Sequence, residues 1–253
     1  MKRRSAQALA GIACLAVAGM FSASALGVSV RLAGPGPELE GKITPAKLSK
    51  TAPKPVTLAL EGTTSEPRAT GEHPPVLKTI SLQFDKSGAI FTKGLARCTI
   101  ADLTRPDGPE HPCQKAIVGH GEAEIEVNFP EVPVFRTNGP MVIFNGAPRN
   151  GHPVLIYHLY ADVPAPTTFL TSGVIDKNHG KFGTKTTIEI PTIVGGQGLL
   201  TSFEATISKT WTYKGKRVSL LTAKCPMGNL FAHDEFTFTN GTKASNEIAK
   251  SCS

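Results

Sequence analysis

The segment GEAEIEVNF, Gly121 to Phe129, most narrows what this chain can fold into. Ala123, Ile125, Val127 and Phe129 point one way, and Glu122, Glu124, Glu126 and Asn128 the other. A period of two is the signature of a strand with one dry face and one wet face. Similar β-rich runs follow one another from Val76 onward: VLKTISLQF, GPMVIFNG, HPVLIYHLYADV, TTFLTSGVI, GTKTTIEIP, LTSFEATISKTWTY, KRVSLLTAKC and HDEFTFTNG. Asn138-Gly139, Asn145-Gly146, Asn150-Gly151 and Gly195-Gly196 read as turns between them. Only TIADLT, Thr99 to Thr104, reads as a helical turn, stopped by Pro106-Asp107-Gly108. Short strands, glycine and proline turns and almost no helix predict an all-β fold over 76–253: an antiparallel β-sandwich, immunoglobulin-like or jelly-roll-like.

The preceding segment, 26–75, is a different kind of chain. Between Gly34 and Pro75 it carries Pro35, Pro37, Pro45, Pro53, Pro55, Pro67, Pro74 and Pro75, which argue against a helix or a central strand. One or two short strands are expected in this extension, Val56 to Leu60 and, early on, Val28 to Leu32. Before it, Met1-Lys2-Arg3-Arg4 is a basic start, Ala6 to Phe21 is mostly apolar, and Ala23-Ser24-Ala25 offers a small-residue cleavage site. Together they read as a secretory signal peptide over 1–25. The apolar stretch falls short of the roughly 20 residues a spanning helix needs, so no transmembrane segment is expected after cleavage. Cleavage removes three basic residues, leaving 24 Lys+Arg against 20 Asp+Glu, a net charge of +4 in place of +7. That balance, with basic residues gathered only in the proline-rich Lys42 to Lys54, argues against a nucleic-acid partner.

The cysteine count fits export. With Cys14 in the signal peptide, Cys98, Cys113, Cys225 and Cys252 remain, an even number with three connectivities. Their spacing lacks the C-x2-C and H-x3-H patterns of a zinc site. Proximity in sequence favours Cys98–Cys113 and Cys225–Cys252, each closing a loop or a tail.

Five stretches carry a resemblance: LQFDKSGAIFTKGLARC, CQKAIVGHGEAE, IFNG, FGTKTTIEIP and LTAKCPMG followed by FTFTNGT, in that order. Over Val76 to about Cys252 they resemble a family of secreted β-sandwich proteins of actinobacterial type, to which no activity is attached. Ala96 departs from that pattern, where a proline is common. The resemblance implies an exported β-sandwich with paired cysteines and brings no catalytic residues, so sites rest on the residues themselves.

GHPVLIYHLYADV concentrates titratable groups. On a strand, Leu155, Tyr157, Leu159, Ala161 and Val163 form a core face, with His152, Val154, Ile156, His158, Tyr160 and Asp162 opposite. At about 3.3 Å per residue, His152 and His158 stand roughly 20 Å apart, and His158 and Asp162 about 13 Å, so no two of them share a metal. Val154 and Ile156 on the second face mark a central strand partly covered by a loop, with His158 and Tyr160 at its margin. These two are candidate ligand contacts. A second candidate is TWTYKGKRVS, where Trp211 and Tyr213 approach a Lys214-Gly215-Lys216 turn followed by Arg217. An aromatic pair beside Lys214, Lys216 and Arg217 suits an envelope glycan, an anionic polymer or a protein.

Catalytic patterns are scarce. G-x-S-x-G and H-E-x-x-H do not occur. Glu122, Glu124 and Glu126 share a wet face, and HDE puts His233 and Glu235 together on a strand. Neither gives the two carboxylates in differing environments that glycoside hydrolysis requires. No catalytic residue, metal or cofactor is expected. The reading is an exported, non-catalytic β-sandwich module, binding or structural, at the cell envelope or outside the cell. The alternative is a secreted hydrolase whose residues, His158 and His233 among them, are scattered over several strands.

Overall fold

Alternation decides which side of each strand becomes interior. The computed structural model describes residues 29–30, 36–64, 75–104, 110–163 and 165–252. The expected signal peptide, with Cys14, lies outside them, as do parts of the proline-rich segment and the Pro106-Asp107-Gly108 stop. The strands are β1 (Ser29–Val30), β2 (Glu38–Thr44), β3 (Lys54–Pro55), β4 (Thr57–Thr63), β5 (Leu77–Asp85), β6 (Gly88–Ile90), β7 (Ile117–Val127), β8 (Phe135–Asn145) and β9 (Val154–Ala161). They continue as β10 (Thr167–Lys177), β11 (Phe182–Glu189), β12 (Gly198–Ile207), β13 (Thr210–Tyr213), β14 (Lys216–Ser219), β15 (Leu221–Ala223), β16 (Asn229–Phe238) and β17 (Lys243–Ser251). Two short helices, α1 (Ile100–Leu103) and α2 (Glu110–Cys113), lie between β6 and β7. The expected helical turn is α1, closed by a capping box in which Thr99 Oγ1 accepts from the Asp102 amide at 3.2 Å.

Twelve strands form one sheet, in the order β1-β17-β16-β5-β11-β10-β9-β8-β7-β12-β4-β2, every pair antiparallel. The sheet curls until its ends meet, giving a near-barrel sandwich. Leu39 of β2 and Leu60 of β4 pack with Leu82 of β5, Phe236 of β16 and Ile248 of β17, from opposite ends of that order. Asn246 Nδ2 ties the meeting edges by donating to the Pro37 carbonyl at 3.2 Å. In β7, Ala123, Ile125 and Val127 are buried while Glu122 is exposed, as the alternation requires.

The outer face is dry in one place. Val142 and Phe144 of β8 and Val154 and Ile156 of β9 are buried beneath the 98–116 segment through Cys98, Leu103, Cys113 and Ala116. Cys98–Cys113 fastens this cover, and Cys225–Cys252 fastens the last strand, with Cα separations of 5.5 and 5.8 Å. For loops of 15 and 27 residues the chain-entropy model assigns about 3 and 3.5 kcal/mol. Asn145 docks the cover on the sheet end, donating to the Ala96 carbonyl at 2.7 Å.

Three elements differ from the sequence reading. β2 is a strand between Pro37 and Pro45; it contains no proline itself and lies at the sheet edge, where flanking prolines are tolerated. The polar tail is β17, paired along its length with β16. Asn138-Gly139 is not a turn but lies inside β8, because a Cβ at Gly139 would stand 1.7 Å from the Tyr160 carbonyl oxygen. Asn150 and Gly151 do turn, with φ of 51° and 81°.

A row of like charges crosses the outer face. Glu40, Glu61, Glu204 and Glu122 lie directly opposite one another on β2, β4, β12 and β7. Arg136 serves the flank, bonding Glu124 at 3.0 Å and Glu126 at 3.2 Å. Directly opposed like charges destabilise a sheet. Replacing Glu204, which has a glutamate on either side, by Thr is expected to raise stability by about 0.5 kcal/mol, or roughly 1–2 °C in Tm. Thermal unfolding measures this, and the gain shrinks at about 0.5 M salt, where the charges are screened.

Candidate functional site

Inward-facing residues meet across the sheet in rows. One row runs Asn246 of β17, Asp234 of β16, Leu82 of β5, Thr186 of β11 and Ile175 of β10. Near one end of the barrel Phe203, Leu200, Ile190 and Phe129 fill the interior. Toward the other end the side chains do not meet, and a cavity of about 160 Å³ is left among Leu58, Leu82, Leu155, Tyr157, Ile175 and Ile207. The small sheet β3-β15-β6 closes it, contributing Ile90, Leu221 and Ala223. That lid is pinned where Val56 N donates to the Leu221 carbonyl at 3.1 Å. Two residues beyond β15, Cys225 joins Cys252 beside Leu48, Val56 and Leu230.

The hollow is apolar, with Tyr157, Thr184, Thr186 and Thr222 as the hydroxyl-bearing residues on its wall. Thr186 is 7 % exposed, and its Oγ1 has no hydrogen-bond partner. It has room because residue 173 is glycine: a Cβ there would sit 2.6 Å from that oxygen. Tyr157 also lines the hollow, and burial raises its phenol well above the ordinary value. Asp234 is wholly buried in the row of Thr186. Its Oδ1 accepts from the backbone and side-chain amides of Asn246 at 3.2 and 3.0 Å, while Oδ2 has no partner. Desolvation pushes the Asp234 carboxyl up to about 6, partly offset by Asn246 and His233.

The hollow meets the surface at the seam. Beside Asn246 the edge of β17 is met by Pro37, and at Glu247 and Ile248 by β1. Further along, Lys250 of β17 pairs with Leu230 of β16, and among the described residues no strand pairs with it on the other side. Gly41, Ile43, Leu230 and Lys250 line both the hollow and a surface groove between β2 and β17.

The residues singled out from sequence fall elsewhere. His158 is buried on the outer face of β9, between Val142 and Leu170 on the neighbouring strands. Tyr160, on the same face, is 37 % exposed; a hydrogen bond to the Asp162 carboxylate raises its phenol. His152 pairs with Asp176 at 2.9 Å. Trp211 stacks on Phe91 at 5.9 Å and donates to the Lys93 carbonyl at 3.1 Å. Tyr213 meets the same ring edge-on at 5.7 Å. Lys214 and Gly215 take the positive φ of a tight turn, 49° and 73°, with Lys216 and Arg217 beginning β14. On β16, His233 sits near Phe182; β5, β11 and β10 lie between it and β9, and its row reaches β9 six residues from His158, so the two histidines stand roughly 28 Å apart along the sheet. One cysteine-containing group, Cys98, Asp102 and Cys113, is close enough to hold a metal, but its two sulfurs are bonded to each other.

Among the described residues no helix is long and apolar enough to cross a membrane. No protein-family model matches the chain, and neither the curated proteins nor the solved structures return a match.

Asp234 gives the site a pH signature. Its folded-state carboxyl titrates near 6 against an ordinary 3.8, so the folded chain holds the extra proton between those values. Its contribution is fully present below about pH 4, is lost as pH rises through about 6, and the charge opposes folding above that. Asp234→Asn is expected to flatten the stability profile between about pH 4 and 6 and to add roughly 2 kcal/mol at pH 7. Urea unfolding of both chains at the two pH limits checks it.

Proposed function

We propose that this chain is an exported, non-catalytic binding module, acting at the cell envelope or outside the cell, that encloses a small apolar guest in the hollow beneath its lid. The observation that carries the reading is the hollow itself: an apolar interior of about 160 Å³ that shares Gly41, Ile43, Leu230 and Lys250 with a surface groove. A cavity of about 150 Å³ lined by leucine, isoleucine and phenylalanine holds a benzene ring. Burying about six carbon groups contributes on the order of 5 kcal/mol, enough for sub-millimolar affinity. Export is supported by the two disulfides, which suit an oxidising compartment, by the signal-like 1–25 segment and by the resemblance to secreted β-sandwich proteins. The hydrolase alternative has less support, because His158 and His233 do not converge on one pocket.

The test uses the mature chain, 26–253, with toluene as probe. Ligand that binds only the folded state raises Tm by mass action. Toluene near saturation is expected to raise Tm by a few degrees. Ile175→Phe, which adds bulk inside the hollow, is expected to abolish that rise while the chain keeps its β-sheet circular dichroism. A wild-type Tm indifferent to toluene overturns the reading.

A further inference from the structure

Resting on the reading above, we infer that the guest is a neutral molecule: an apolar body of about one ring bearing a single hydroxyl or carbonyl oxygen, which Thr186 Oγ1 binds.

Two independent features of the hollow carry this. The first is the unpaired hydroxyl. A buried polar atom without a partner is costly, and valine would fill the same volume at position 186 without that cost. Gly173 holds the space open around this oxygen, since any side chain there would press on it. A hydroxyl both donates and accepts, so it matches an alcohol or a carbonyl equally. Tyr157, on the same wall, presents a second hydroxyl, and its raised phenol keeps it a neutral donor.

The second feature selects against an anion. The inward side chains that β4, β5, β9, β10, β11 and β12 bring to the hollow, such as Leu58, Leu82, Phe84, Tyr157, Thr184 and Thr186, carry no charge, and Asp85 at the end of β5 is held by the amides of Ser87 and Phe231. Lys250, the inward-facing cation of β17, belongs to the part of the wall that the hollow shares with the surface groove. Asp234 lies two strands from Thr186 in the same inward row, about 10 Å away. A carboxylate on the guest would face that buried carboxyl across a low-dielectric interior, a repulsion that weakens binding on the order of tenfold.

Three ring-sized probes separate the possibilities: toluene, benzyl alcohol and benzoate, each titrated calorimetrically into the mature chain. Wild type is expected to bind benzyl alcohol and toluene and to bind benzoate at least tenfold more weakly than benzyl alcohol. Thr186→Val is expected to weaken benzyl alcohol about tenfold, leave toluene unchanged or tighter, and raise the ligand-free Tm. Thr186→Ser, which keeps the oxygen, is expected to hold benzyl alcohol within about twofold of wild type. Equal effects of Thr186→Val on both neutral probes, or benzoate binding as well as benzyl alcohol, overturns the inference while leaving the apolar-guest reading standing. Failure of toluene to bind folded wild type removes both. Tyr157→Phe is a second, independent variant: a drop confined to benzyl alcohol supports the hydroxyl wall, and a drop shared with toluene counts against it.

Discussion

A twelve-stranded antiparallel sheet with one apolar face can shield that face only by bending round on itself. Here the bend brings β2 and β4 against β5, β16 and β17, so one continuous sheet supplies both walls of its own core. Right-handed twist makes such closure natural, but it also means that the two walls diverge where packing side chains are small. Near one end Phe203 and Phe129 span the gap; toward the lidded end Gly41 and Gly173 bring no side chain to it. The hollow is thus a property of closure and residue size together, and the small sheet β3-β15-β6 exists to roof it.

The disulfides act where closure does not reach. The 98–116 cover and the β15-to-β17 corner each pack through a small apolar cluster of their own, and each is fastened by one bridge. The cover has a visible effect on the sheet beneath. On β8 and β9 both faces are dry, so the regular in–out alternation gives way to runs such as MVIF and VLI, and His158 is enclosed between apolar neighbours. A histidine in that setting belongs to the packing of the second layer, whereas the hydroxyls of Thr186 and Tyr157 belong to the interior.

Strand identity was legible because the alternation is strong: β7, β9, β10 and β12 fall close to where period two puts them. The cysteine pairing was legible from separation alone. β17 was not legible because KASNEIAKS is mostly polar, with Ile248 its one large apolar residue; its Asn246, Ile248 and Lys250 face inward with Asp234, Ala232 and Leu230 opposite. Asn138-Gly139 misled for a similar reason, since a glycine required by a close strand crossing looks identical to a glycine required by a turn. The hollow was not legible at all. Tyr157 was visible on the core face, and Asp234 shares parity with Phe236 and Phe238, so its burial follows from alternation. What sequence does not contain is the distance between walls, which sets whether Thr186 meets a neighbour or a void.

The order of strands also governs how such a chain is made. β5 takes its neighbours β11 and β16 from roughly one hundred and one hundred and fifty residues downstream, and β4 waits for β12. No fragment emerging first owns both walls of the core. Synthesis from the amino end therefore delivers the β7-to-β11 meander before the strands that shut the core, and closure waits for the final segment.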